Sequence, residues 1–356
     1  MTYSLSDFRK KIQAFTRVEL IHLPTPIQKL ERLSEELGGP EIYMKRDDLT
    51  GLAFGGNKSR KLEFIIPDVL EKGADVIITW ASLQSNWCLQ TAAAARRFGI
   101  KPVLVLFKTY ELPEEYDGNL LLDYILDADI RIREAEVGRV VSKDHVEEIL
   151  EEVVFEVKEW GHIPYVAPIG GSMVGGSMEQ PLGAISYAQA YAEMLEQTEN
   201  LDFQPDYVVH ATGSGGTQAG LAVGAKALTP DTKVLGISVS DEKDTFSRDV
   251  YKISQDTEKA LDLDIALNKE EDIHVLDDYL GEGYGIITKD VSKTIRLVSL
   301  KEGIFLDPVY TGKAMTGLFD LVKNGTINKG HKVMFFHTGG TAALFPNKHK
   351  LTLFLK

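Results

Sequence analysis

Cysteine is almost missing: Cys88 is the only one in 356 residues, which excludes an intrachain disulfide and any multi-cysteine metal centre. A reducing, cytoplasmic setting is the expectation. No run reaches the roughly 18 apolar residues of a membrane span, and the first residues, MTYSLSDFRKKIQAF, hold no apolar signal core. The chain is expected to be neither exported nor anchored. Positive charge is scarce, with 39 Lys and Arg against 53 Asp and Glu, a net charge of -14 and no dense basic cluster. An acidic surface repels phosphate backbones and anionic lipid, which argues against nucleic-acid and membrane roles.

What is present is a globular mix, 44% hydrophobic and 26% charged, long enough for two domains at roughly 150 residues each. Strand-like runs fall at 41–45, 75–79, 102–107, 130–135, 206–211, 233–239, 272–276 and 332–338. Helix-like runs sit between most of them, at 86–98, 143–160, 182–196, 217–227, 288–301 and 312–323. This alternation predicts an α/β fold of two domains with mainly parallel, twisted sheets covered by helices. The Gly-rich stretch PIGGSMVGGSMEQPLG (168–183) separates two blocks. We expect a small α/β domain over 60–180, inserted in a larger one built from 1–59 and 181–356.

Five stretches could carry chemistry. In KRDDLTGLAFGGNKSRKLEF (45–64), Gly51 and Gly56 have the spacing of a Walker A loop, but Asn57 intervenes before Lys58-Ser59. A phosphate loop of that kind needs Gly-Lys-Ser/Thr adjacent, so an NTPase is disfavoured. Lys58 is then either an ordinary lysine at the start of an exposed helix or an amine activated by desolvation for attack on a carbonyl. On this stretch alone the ordinary reading is favoured.

HATGSGGTQAGLAVG (210–224) is more specific, because a strand delivers the chain to Gly213-Ser214-Gly215-Gly216-Thr217 and a helix of small residues leaves it. Such a turn aims backbone N–H groups and a helix N-terminus at one anion. Gln218 stands where a dinucleotide fingerprint needs glycine, so a single phosphate fits better than a pyrophosphate. In GIFLDPVYTGKAMTG (303–317) Asp307-Pro308 stops a short buried run and Tyr310 and Thr311 sit just ahead of a helix, while in FFHTGG (335–340) Thr338 and Gly339 help to cap a strand; open α/β sheets bind ligands at strand ends. In TWASLQSNWCLQTAAAA (79–95), Ser85 or Asn86 alone would cap the helix. The second polar residue needs another role, and a carboxylate at the helix N-terminus would supply one.

Together, GGNKSRKLEF, QSN before an alanine-rich helix, TGSGGTQAG, GEGYG, LDPVYTGKAM and HTGG occur in the order found in the D-cysteine desulfhydrase and 1-aminocyclopropane-1-carboxylate (ACC) deaminase family. The chain resembles that family from about residue 17 to 345. The resemblance implies pyridoxal 5'-phosphate (PLP) as cofactor, the tryptophan synthase β-subunit-like fold (PLP fold type II), a small amino-acid substrate and a homodimer. It implies that Lys58 holds PLP through its amine, that Asn86 bonds the ring's phenolic oxygen, and that Gly213, Ser214, Gly215, Gly216 and Thr217 hold the phosphate with help from Lys61. Thr311 and Thr338 would face the cofactor. Ser85, Asn86 and Trp87 would meet the substrate carboxylate, while Tyr284, Tyr310, Thr338 and Gly339 flank the reacting amino acid.

Two positions bear on the reaction. ACC deaminases of this family typically carry Glu and Leu where this chain has Thr311 and Thr338, the desulfhydrase pattern. A neutral threonine gives a weaker electron sink than a carboxylate, which suffices for a good leaving group. The resemblance therefore implies a carbon-sulfur lyase eliminating from a β-substituted amino acid, foremost D-cysteine to pyruvate, hydrogen sulfide and ammonia. L-cysteate elimination, ACC deamination and a non-catalytic binding protein of the same fold are the alternatives. One departure stands out: many desulfhydrase-like members read QSNH, whereas Trp87 follows Asn86 here. The indole either reshapes the pocket or points into the core.

Overall fold

The computed structural model describes residues 2–109, 116–138, 141 and 143–355. Among them ten strands occur: β1 (Ile27–Lys29), β2 (Glu41–Lys45), β3 (Val76–Ser82), β4 (Lys101–Lys108), β5 (Asp129–Glu134), β6 (Pro164–Val166), β7 (Tyr207–Thr212), β8 (Lys233–Ser238), β9 (His274–Leu276) and β10 (Lys332–Phe336). They form a six-stranded sheet, β1-β2-β10-β7-β8-β9, and a four-stranded sheet, β5-β4-β3-β6. Only the β1–β2 pair among these is antiparallel. All eight strand-like runs of the sequence are strands, shifted by a few residues at their ends. The two that escaped notice, β1 and β6, have three residues each, too few to show a period. No helix of the described residues is long and apolar enough to cross a membrane.

The helix Asn57–Glu71 joins the two sheets, and its sequence hides it. Its buried face carries Asn57, Ser59, Arg60, Lys61 and Glu63 beside Leu62, Ile65 and Ile66, so the 3.6-residue apolar period is broken. Pro67 lies inside it and has no N–H to offer the carbonyl of Glu63. That carbonyl instead accepts the N–H of Val18 at 3.0 Å. The Glu63 carboxylate accepts the N–H of Leu20 at 2.9 Å and pairs with Arg17 at 3.1 Å. The N-terminal arm is thus strapped along the helix where proline would weaken it.

A buried ionic cluster sets the angle of the same helix. Arg60 donates to Asp47 at 2.8 and 2.9 Å and to Glu193 at 2.9 and 3.0 Å, while Lys45 meets Glu193 at 2.6 Å. The Tyr187 hydroxyl donates to Asp47 at 2.7 Å. Strand β2, helix Asn57–Glu71 and helix Leu182–Asn200 are therefore locked by a largely buried set of charges. One apolar cluster, from Phe8 and Leu62 through Ile77 and Trp87 to Ile185 and Val223, runs continuously between the sheets.

Removing one charge from such a cluster strands the others, so Arg60→Met should cost about 3–5 kcal/mol, read as a lower denaturant midpoint at unchanged slope. Burial alone would raise the Glu193 carboxyl, but Arg60 and Lys45 outweigh it and hold it down to about 2. Its contribution is full above the ordinary glutamate value of about 4.3 and is lost as pH falls toward 2. Stability curves of the wild type and Glu193→Gln should accordingly diverge least at the acid end of that window.

Candidate active site

The C-terminal ends of β3, β4, β7, β8 and β10 surround a cavity of about 200 Å³. Lys58, in the first turn of its helix, is partly exposed to it. Burial lowers its amine to about 8, opposed by the negative charge of Asp307. Lys58 Nζ donates to Asn57 Oδ1 at 3.1 Å, and Asn57 Nδ2 donates to Thr217 Oγ1 at 3.1 Å. The Lys58 amine and the glycine turn, remote in sequence, are separated by one asparagine side chain.

Gly213, Ser214, Gly215 and Thr217 line the cavity where β7 ends and helix Gly216–Leu228 begins. Gly215 has φ +80°, and a Cβ there would lie 2.9 Å from Ile253, so the turn admits no other residue easily. Gly216 is buried inside the helix start and is not part of the cavity wall. Lys61 does not reach the wall either: its amine donates to the Gly170 carbonyl at 2.9 Å and to Ser172 Oγ at 3.3 Å. Burial, with the charge of Lys58 second, pushes that amine well below the ordinary lysine value. Ser172 Oγ is 2.9 Å from Ser214 Oγ, so Lys61 supports the turn through Ser172.

The turn after β3 assigns each polar residue a separate partner. Ser85 Oγ accepts the N–H of Trp87 at 3.1 Å and of Cys88 at 3.2 Å, which makes it the cap of helix Asn86–Arg97. Its own proton is left to donate. Gln84 turns away and grips the next helix, Gly118–Ile125, donating to the Asp117 carbonyl at 2.9 Å and accepting the Asn119 N–H at 2.7 Å. Asn86 faces the cavity. Trp87 is only 2% exposed, and its indole N–H donates to Thr79 Oγ1 at 2.7 Å. The indole is core, with one edge on the cavity wall.

Tyr284 and Tyr310 form the far wall, their hydroxyls 2.6 Å apart, and Ser82 Oγ extends the chain at 3.1 Å from Tyr284. Lys313 holds the GEGYG loop by donating to the Leu280 and Gly283 carbonyls at 2.7 and 3.0 Å. Thr338 and Gly339 also line the cavity. Thr311 does not: its hydroxyl donates to Asp307 Oδ1 at 2.7 Å and accepts the Asp307 N–H at 2.8 Å, fully buried beneath the wall.

Sequence reasoning passed over Asp307, Asn57, Ser172 and Ser82. Asp307 reads as the stop before a proline, yet its carboxylate accepts the N–H groups of Val309, Tyr310 and Thr311 and stabilises the charged form of Lys58. Burial raises its own carboxyl, against the pull of those bonds. Thr212 Oγ1 is a further omission, buried at the cavity wall with no partner among the described residues. An amine of lowered basicity, a donor-rich glycine turn close by and an orphaned hydroxyl between the walls fit a ligand with a carbonyl, a phosphate and a polar ring. PLP is such a ligand.

Comparison with known proteins agrees. A curated Pyrococcus furiosus protein provisionally named 1-aminocyclopropane-1-carboxylate deaminase is 42% identical over 97% of this chain and 98% of its own length. The D-cysteine desulfhydrase of Serratia proteamaculans is 38% identical over 95% of this chain and 98% of its own. A crystal structure described as an ACC deaminase homologue superposes with TM-score 0.87 at 38% identity, covering 98% of this chain and 99% of that one. The crystal structure of the T.th. threonine deaminase, at TM-score 0.63 and 18% identity over 95% of this chain and 98% of that one, shares the fold, PLP fold type II. Residues 18–339 match the family model described as pyridoxal-phosphate dependent enzyme, and the chain belongs to that family.

Proposed function

We propose that this PLP-dependent lyase eliminates the β-substituent of D-cysteine, giving pyruvate, hydrogen sulfide and ammonia. The observation that carries the reading is the Lys58–Asn57–Thr217 contact, which sets an amine and a phosphate cradle at the two ends of one small ligand. Lys58 would hold PLP, the Gly213–Thr217 turn its phosphate and Asn86 its phenolic oxygen. When bound, the coenzyme supplies an electron sink for charge developing at Cα of an amino acid.

The chain's own groups do the rest. The Ser85 proton and the first turn of helix Asn86–Arg97 receive the substrate carboxylate. Lys58, as free base, accepts the Cα proton. The paired hydroxyls of Tyr284 and Tyr310, with Ser82 behind them, deliver a proton to the departing sulfur. Trp80 and Phe107 give that side of the cavity an apolar wall, which limits water.

Position 311 holds threonine and not the glutamate typical of the ACC deaminases the chain resembles, which favours elimination of a good leaving group over ring opening. Along the described wall Lys58 is the single cationic side chain, while Asp241 and Asp249 are acidic, which disfavours a second anionic group such as the sulfonate of L-cysteate. ACC deamination is the second reading, favoured by the name of the Pyrococcus relative.

Sulfide release from D-cysteine, exceeding 2-oxobutyrate release from ACC and sulfite release from L-cysteate, is the expected outcome of a substrate panel; the reverse order would replace the proposal by the matching alternative. Lys58→Ala should abolish turnover on all three. Because the amine is the free base only above about 8, the rate of PLP uptake by the apo-protein should rise through that pH and then level. Asp307→Asn removes the charge that favours the ammonium form, so the midpoint should move to lower pH, as followed by stopped-flow absorbance.

A further inference from the structure

The orientation of the Asn86 amide is forced, step by step, from backbone carbonyls that can only accept. Gln84 Nε2 donates to the Asp117 carbonyl at 2.9 Å, so Gln84 Oε1 is the atom that accepts the Asn119 N–H at 2.7 Å. Asn119 Nδ2 donates to the Gln84 carbonyl at 2.8 Å, so Nδ2 is also the atom 2.8 Å from Asn86. Asn86 must therefore turn its oxygen to Asn119. Its nitrogen points the other way, beside Gly340, where a Cβ would lie 2.9 Å from it; Asn86 lines the cavity, and among the described residues no protein group accepts from that nitrogen.

We propose that Asn119 is a positioning residue for the coenzyme, holding Asn86 so that it presents a donor rather than an acceptor to the cavity, and that a protonated Asp123 anchors Asn119 from behind. Asn119 Oδ1 and both Asp123 oxygens are buried without a partner. The two residues stand one turn apart on the same face of helix Gly118–Ile125. Three acceptors without a donor are costly in a core, but one proton on Asp123, donated to Asn119 Oδ1, gives that oxygen a donor and one Asp123 oxygen a partner. Burial favours that neutral form, and Cys88, the titratable neighbour on the facing helix, is itself kept as thiol by burial. The approach of the two helices is close: Gly118 has φ +57°, and a Cβ there would lie 2.5 Å from Gln84 Oε1.

The consequence is specific to an anionic oxygen at Asn86. A donor there stabilises it, and a flipped amide would repel it. The inference rests on the reading that PLP occupies the cavity with its phenolic oxygen at Asn86, and the test separates the two.

Apo-protein is titrated with PLP, and the dissociation constant and the wavelength of the visible band, about 410 nm for the bound coenzyme, are recorded for the wild type, Asn119→Ala, Asp123→Asn and Asp123→Ala. Asn119→Ala should weaken PLP binding about tenfold and shift the band. Asp123→Asn, whose amide can donate to Asn119 Oδ1 as the acid does, should match the wild type, and Asp123→Ala should resemble Asn119→Ala. In an Asn86→Ala background, Asn119→Ala should change neither quantity further. A wild type that never develops the band overturns the coenzyme reading. A normal wild-type band that Asn119→Ala leaves unmoved, or moves equally without Asn86, overturns the positioning role alone. Should Asn119→Ala fail to fold, equal behaviour of Asp123→Asn and Asp123→Ala overturns it.

Discussion

Asn57 has one amide and two obligations: its oxygen holds the Lys58 amine and its nitrogen holds Thr217 at the edge of the glycine turn. The distance between the Lys58 amine and the glycine turn is thus set by a single planar group, with no long-range adjustment between sheets. Everything else in the site arranges that this group sits still. The helix it starts is fixed by the Arg60, Asp47 and Glu193 charges at one side and by the close support of Lys61 under Gly170 and Ser172 at the other.

Two lysines three residues apart show how the same chemistry is put to different uses. Both amines are made less basic by burial. Lys58 keeps a carboxylate within electrostatic reach and a face open to the cavity, so it can exchange its proton with a ligand. Lys61 is spent on a carbonyl and a hydroxyl, and what it contributes is the position of Ser172 and, beyond it, Ser214.

Much of this was legible in the residues, for physical reasons that differ by element. The central strands show because parallel strands buried on both faces read as apolar runs, as in Val76–Ser82 and Lys101–Lys108. The helix that carries Lys58 does not show, because its inward positions are filled by polar side chains whose partners lie far away in sequence. The glycine turn and the cap at Ser85 are local devices and were visible locally. The role of Asp307 was not, since Asp307-Pro308 reads as the stop of a short buried run until Lys58 is placed beside it. Gln84 and Asn119 were invisible for the same reason: their meaning lies in each other, 35 positions apart, and no spacing rule links them. Trp87 resolved toward the core because Thr79, eight residues earlier, supplies the acceptor its indole needs.

Pro67 leaves a missing rung in the ladder of the helix that begins with Asn57 and Lys58, and Val18 fills it from outside. A segment far from the cavity therefore completes the scaffold on which the amine is mounted. Synthesis runs from the N-terminus, so the splint leaves the ribosome before the fracture it will set, and any leader or tag that sequesters residues 17 to 21 would act on the active site at a distance, through one carbonyl group.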